Sequence, residues 1–257
     1  MLGLTDGAAP VYLGPAAGHT LLVAWPGLGA TMALRTLAAQ YARRGMHVDV
    51  LDVAGQHTWA RDQRRIHLYG DATAVHRHLY HLAAQVRGQR SGAPRVVVVE
   101  SDLTINALLR FRHYPFPGGT GLDALTAVLG AGRLYGIRVV LACRAVPIPL
   151  AHVARSLFTT RLLAAPTPRT WHLVGTPGAA PPQDEPFRAG QMHLISSSGD
   201  SPVQLLQLTG LQAAQLASTQ APAPADGLTR PLRRAKGRPP AAAPAASTFQ
   251  MPRTQGD

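Results

Sequence analysis

The sequence predicts an α/β protein with a mostly parallel central sheet flanked by helices, and three observations carry that prediction. An apolar strand, Leu21-Leu-Val23, runs into a turn bearing Gly27 and Gly29 and then into a stretch with helical apolar spacing. Arg95-Val-Val-Val-Val-Glu100 is an uninterrupted β-branched run of the kind buried on both faces inside a parallel sheet. Around these two segments, apolar runs alternate with amphipathic stretches, as successive βα units do.

Taken in order, residues 1–18 are rich in Gly, Pro and Ala and form a lead-in with one short strand around 11–13. A helix over 31–44 follows the first strand, because Met32, Leu34, Leu37, Ala38 and Tyr41 recur on one face; Gly45 ends it. Residues 47–53 and 65–69 read as strands. Asp71 is placed to cap a helix over 72–87, with Val75, Leu79, Leu82 and Val86 on its apolar face. The strand 95–100 comes next, then a Pro/Gly-rich loop over 114–121, a helix over 122–135 and a strand over 138–143. Short elements over 151–157, 160–164, 167–174 and 190–195 complete a folded domain of residues 19–217. From 218 the chain collapses to Ala, Pro, Gly, Thr and Arg, too poor in bulky apolar residues to fold.

The first turn has the layout of a phosphate-binding loop. Set against G-x-x-x-x-G-K-[ST], the frame falls on residues 24–31, with Gly27, Leu28, Gly29, Ala30, Thr31 and Met32 as the nucleotide-binding candidates. Ala24 stands where the motif has its first glycine, and Ala30 where it has its lysine. Without that lysine the loop loses its only full positive charge, and Pro26 removes one amide donor. Loss of a charge-assisted phosphate contact costs about 1.5–3 kcal/mol, which is about one to two decades of affinity. Backbone N–H groups and the following helix N-terminus remain as a cradle. Thr31 keeps a hydroxyl able to ligate Mg²⁺.

The 257-residue chain is 46% hydrophobic, enough for one α/β domain with appendages. A formal net charge of +12 favours a polyanionic partner such as nucleic acid. Of the 25 basic residues only Lys236 is a lysine, so single arginines carry less functional weight than usual. The lone cysteine, Cys143, excludes an internal disulfide and reads as a buried strand residue. No apolar run approaches the roughly 18–20 residues of a membrane span, which makes the cytosol the expected compartment.

The order of these segments resembles the FtsK/SpoIIIE-type DNA translocases over about residues 10–208. The carriers are Ala33-Leu-Arg-Thr-Leu-Ala38 after the loop, Asp52-Val-Ala-Gly-Gln-His57, Phe158-Thr-Thr-Arg-Leu162, Pro168-Arg-Thr170 and Gly190-Gln-Met192. The resemblance implies a RecA-like P-loop NTPase fold, ATP and Mg²⁺ as cofactors, double-stranded DNA as partner, and assembly into a ring. It also implies that Glu100-Ser101 stands where the family has an Asp that holds Mg²⁺ and a Glu that activates water. Glu100 and Asp102 are the candidate catalytic carboxylates, and Thr31 with Glu100 the candidate Mg²⁺ ligands; Ser101 cannot act as a general base near neutral pH. Arg161 and Arg169 match family arginines near the subunit interface. On this reading the chain is a hydrolysis-deficient pseudo-ATPase that binds DNA or assembles with an intact FtsK-like motor. The alternatives are an atypical but active DNA translocase and a non-enzymatic DNA- or protein-binding module.

Three further features are weighed on their own chemistry. Arg35 lies more than a helical turn beyond Ala30, so a packing role is expected in place of a phosphate contact. His67, His76, His78 and His81 match no metal-ligand spacing, and a solvated helix face is expected. The tail carries Arg230, Arg233, Arg234, Lys236 and Arg238, the candidate DNA-binding residues of a flexible basic arm reaching phosphates and narrow grooves.

Overall fold

The structure is a computed structural model that describes residues 1–5, 7–13, 17–110, 119–182, 188–197 and 199–219. The candidate DNA-binding residues Arg230 to Arg238, and most of the predicted 114–121 loop, lie outside the described residues.

The strands are β1 (Gly3–Leu4), β2 (Pro10–Val11), β3 (Thr20–Ala24), β4 (His47–Leu51), β5 (Ile66–Tyr69), β6 (Arg95–Val99), β7 (Ile137–Cys143), β8 (Thr160–Ala164), β9 (Gln191–Ser196) and β10 (Gly199–Leu205). The helices are α1 (Ala30–Arg43), α2 (Ala72–Arg87), α3 (Ser101–Arg110), α4 (Gly121–Ala131), α5 (Ile148–Ala151), α6 (Ala154–Leu157), α7 (Pro168–Val174) and α8 (Gly210–Ser218). All strands join one sheet in the order β2-β1-β10-β9-β8-β3-β7-β6-β4-β5. From β8 to β5 the pairs are parallel; β9, β10, β1 and β2 extend the sheet antiparallel. This is the α/β architecture the sequence predicts, a large and mostly parallel sheet flanked by helices.

The valine run explains itself in this arrangement. Side chains alternate across a strand, so Val97 and Val99 of β6 pack with α2, α3 and α4 on one face, while Val96 and Val98 pack with α1 on the other. All four are fully buried. Asp71 caps α2 as expected, its Oδ1 accepting from the Ala74 amide at 2.8 Å. Gly45 takes a φ of 84°, the left-handed conformation that closes α1.

Three elements differ from expectation. The strand predicted over 95–100 is followed at once by α3, a helix the sequence reading did not assign, with Ser101 at a φ of 64° where the ladder ends. The hairpin strand β10 contains Pro202, a residue that argues against a strand within a sheet. Helix α8 forms in the last stretch of the predicted domain, where no element was assigned, with a capping box between Thr209 and Gln212 at its start. It packs on α1 and on the 3₁₀ turn Thr58–Ala60.

The histidines divide: His67 and His81 are exposed as expected, whereas His76 and His78 turn inward. His76 is fully buried, and His78 Nε2 lies 2.9 Å from Asp49 Oδ2 while its ring stacks on Tyr69 at 4.2 Å. Burial works to raise the Asp49 carboxyl pKa, but the hydrogen bonds and charges of His78 and Arg95 outweigh it and hold Asp49 below the ordinary carboxylate value. Among the described residues no three His, Cys, Asp or Glu side chains converge as a metal site. No described helix is long and apolar enough to cross a membrane.

Candidate nucleotide site

Strands β3, β6 and β7 end at one edge of the sheet, where the outgoing loops open a crevice. A cavity of about 690 Å³ lies there, lined by residues 24–27 and 29–32 of the loop, Glu100 to Leu103 at the start of α3, and Ala142 to Arg144 at the end of β7; the candidate Leu28 instead packs against the core. The predicted nucleotide-binding loop and the carboxylates after the valine strand thus meet in space.

The loop keeps the shape of a phosphate cradle. Gly27 and Gly29 have φ values of 86° and 93°, conformations that disfavour side chains. Gly29 also abuts the Gly190 turn; a Cβ there would sit 3.0 Å from the Gly190 nitrogen. That turn holds the loop through a 2.9 Å bond from the Gly190 amide to the Leu28 carbonyl. Helix α1 begins with no side-chain cap and no acidic residue in its first turn. The first amides of a helix have no partner within it, so those of Ala30, Thr31 and Met32 leave the positive helix end facing the cavity. Trp25 contributes an exposed ring at the rim.

The acid side of the cavity is held by the chain's own donors. Thr31 Oγ1 donates to Glu100 Oε1 at 3.0 Å, and His57 Nε2 lies 2.7 Å from Glu100 Oε2. Trp59 Nε1–H, which can only donate, reaches His57 Nδ1 at 3.0 Å. Nδ1 is therefore the bare nitrogen, and Nε2–H donates to the carboxylate. The His57 amide is anchored in turn on Asp52 Oδ2 at 2.7 Å. His57 is fully buried. Sequence reasoning missed this role: His57 follows β4, β4 pairs with β6, and only that pairing brings it beside Glu100. Replacing His57 with leucine should strand the Trp59 indole N–H and remove a donor from a buried carboxylate, lowering stability by about 1–3 kcal/mol. Urea unfolding measures this, and an unchanged midpoint would show that His57 does not hold Glu100.

The remaining candidates separate. Asp102 sits in the first turn of α3; its Oδ1 accepts from the Arg144 backbone amide at 3.1 Å, and its Oδ2 from Arg144 Nε. The Ser101 hydroxyl is buried with no hydrogen-bond partner among the described residues. Arg35 donates to the Leu208 carbonyl at 3.3 Å, away from the loop. Cys143 is buried beneath the cavity, and burial pushes its thiol well above the usual range. Arg161 is 8% exposed and donates to the Phe158 and Arg155 carbonyls at 3.1 and 3.2 Å. Burial, with Arg155 nearby, lowers its pKa from the ordinary arginine value. Arg169 stands exposed in the first turn of α7. Neither arginine lines the cavity.

A nucleotide with Mg²⁺ fits the residues in part. The free amides suit a polyphosphate. Thr31 Oγ1 and Glu100 Oε1, 3.0 Å apart, are the hard oxygen donors that Mg²⁺ takes. Position 30, where the phosphate-loop motif has lysine, is alanine; position 101 is serine; and Asp102 is engaged by Arg144.

No protein-family model matches the chain, and no curated protein matches it by sequence. Solved structures do. The pCW3 conjugation coupling protein TcpA with ATPγS aligns with a TM-score of 0.63 at 12% identity, over 84% of this chain and 68% of that one. EssC (ATPases 2 and 3) from Geobacillus thermodenitrificans aligns at 0.61 and 12% identity, over 84% and 47%. Thermomonospora curvata EccC (ATPases 2 and 3) aligns at 0.58 and 16% identity, over 81% and 40%. The chain thus spans less than half of the EccC and EssC chains it matches. The fold is that of P-loop ATPase domains.

Proposed function

We propose that this chain is a hydrolysis-deficient member of the motor-ATPase fold, a pseudo-ATPase of FtsK/SpoIIIE type. It binds nucleotide in the cavity without turning it over, and works in the cytosol on double-stranded DNA or in a ring with an intact motor. One observation carries the reading: the lysine position is Ala30, and both carboxylates of the cavity are held by donors of the same chain. Phosphoryl transfer is catalysed by positioning and charge, so a site without the lysine and without a free base retains binding geometry and little else. The neighbours include secretion ATPases and a conjugation coupling protein solved with ATPγS, which supports a motor-related role.

DNA contact is assigned to arginines of the folded part and to the tail bearing Arg230, Arg233, Arg234, Lys236 and Arg238, and ring contact to Arg169 with the Arg161 region. The test measures phosphate release with and without double-stranded DNA, alongside DNA affinity across a salt series. No release above blank is expected. Deleting residues 219–257 should flatten the slope of log K against log salt by about 4, given roughly 0.9 per neutralised phosphate. DNA-stimulated turnover abolished by Glu100→Ala would overturn the pseudo-ATPase reading in favour of an active translocase. An unchanged salt slope would remove the tail from the DNA interface.

A further inference from the structure

Arg144 is the only Lys or Arg among the residues lining the cavity. Strands β3 and β7 are parallel neighbours with Val23 opposite Cys143, so Arg144 leaves β7 beside Ala24, the first residue of the loop frame. Adjacent strands lie about 4.8 Å apart, well within the reach of an arginine side chain. The Arg144 side chain is 57% exposed. Asp102 takes its Nε and its backbone amide. The two terminal nitrogens of the guanidinium have no partner among the described residues, and a planar fork with free N–H groups is the geometry that binds phosphate oxygens.

The charge inventory adds a second argument. Two carboxylates, Glu100 and Asp102, face a single guanidinium around a crevice whose loop has lost its lysine. An incoming polyphosphate meets backbone dipoles at α1 and Arg144, the only arginine or lysine among the described residues that line the cavity. Asp102 works against that encounter, because its negative charge both occupies Arg144 and repels the anion.

We propose that Arg144 is the phosphate-binding cation of this cavity, taking over from the strand beside the loop the role lost at Ala30, and that Asp102 restrains it. Resting on the nucleotide-binding reading above, this assigns the polyphosphate-recognising side chain to the end of β7. A polyphosphate draws the guanidinium's terminal N–H groups toward the α1 amides. Asp102 then either keeps Nε, orienting the fork, or releases it. In both cases neutralising Asp102 strengthens anion binding, whereas removing the Arg144 charge weakens it.

That opposition of sign is the test. On the full-length chain, titration with a fluorescent ATP analogue and with inorganic tripolyphosphate should give a Kd about tenfold weaker for Arg144→Gln. Asp102→Asn should be several-fold tighter than wild type, and Arg144→Lys should retain most of the binding. Thermal unfolding of each variant confirms folding; the pair is solvent-exposed on the arginine side, so both substitutions are expected to fold. A merely structural ion pair predicts that both changes act in the same direction through lost order of the loop, and that result overturns the proposal. Equal affinities in wild type and Arg144→Gln overturn it as well. Failure of both wild type and Ala30→Lys to bind either probe is a different outcome, which ends the nucleotide-binding reading itself.

Discussion

Replacing Ala30 with lysine should raise affinity for ATP by about one to two decades, the equivalent of the 1.5–3 kcal/mol that a charge-assisted contact contributes. Position 30 is the first residue of α1, and it lines the cavity with the uncapped helix end beside it. The new ammonium would meet phosphate where the helix dipole already favours an anion. It would also offset the negative balance set by Glu100 and Asp102 around Arg144. Titration of a fluorescent ATP analogue reads the change directly. Turnover is not expected to return with it. On the proposed reading the base position is Ser101, which is in a left-handed conformation with φ of 64° and has its hydroxyl buried. A glutamate there would bear the same backbone strain. Ala30→Lys should therefore bind without hydrolysing; phosphate release from this single variant would mean that another carboxylate serves as base.

The elements set by local periodicity were legible in the chain. The β6 valine run, the apolar stripe of α1 and the Asp71 cap each depend on residues within a few positions of one another. The shape of the loop was legible for the same reason, since Gly27 and Gly29 supply left-handed conformations that other residues resist. Helix α3 was hidden because Glu100-Ser101-Asp102 continues an apolar strand without a glycine or proline, and the left-handed turn at Ser101 is rare for a residue with a side chain. The α8 capping box was present as Thr209-x-x-Gln212, a signal masked by the sparse bulky residues that follow.

The site was legible as a loop and a carboxylate, and not as a network. Thr31 meets Glu100 across 69 positions, and His57 meets it across 43. Asp102 meets Arg144 across 42. No spacing rule brings such residues together; the parallel order β3-β7-β6-β4 does. That order sets β7 between the loop strand and the acidic strand, and so delivers Arg144 to the centre of the crevice. It also places the 52–60 turn, which carries His57 and Trp59, against Glu100 on the other side. The loop lacks the lysine of the phosphate-binding motif, and the topology says what stands near it.

Acid should destabilise the protein through His19, the residue before β3. The ring is 1% exposed, and its Nδ1 accepts the Val139 amide at 3.0 Å, a bond that requires the neutral form. Burial, followed by the nearby Arg133 charge, lowers the pKa from 6.5 to about 4. The unfolded chain therefore takes up the proton at a higher pH than the folded one. Stability is intact above pH 6.5, falls progressively from about 6.5 to about 4, and changes no further from this group below that. At 1.36 kcal/mol per unit, the total is roughly 3 kcal/mol, a large share of the roughly 5–15 kcal/mol that holds a typical domain together. Asp49 acts in a separate window: its depressed carboxyl keeps its contribution above 3.8 and loses it as pH falls through the still lower folded value. Urea midpoints measured from pH 7.5 to 4 should decline for the wild type. His19→Gln keeps an acceptor for the Val139 amide and has no proton to take up, so its midpoints should stay nearly flat across the same range, from a lower start. Parallel curves for the two proteins would show that the acid limb belongs to other groups and that His19 is not held neutral in the folded state.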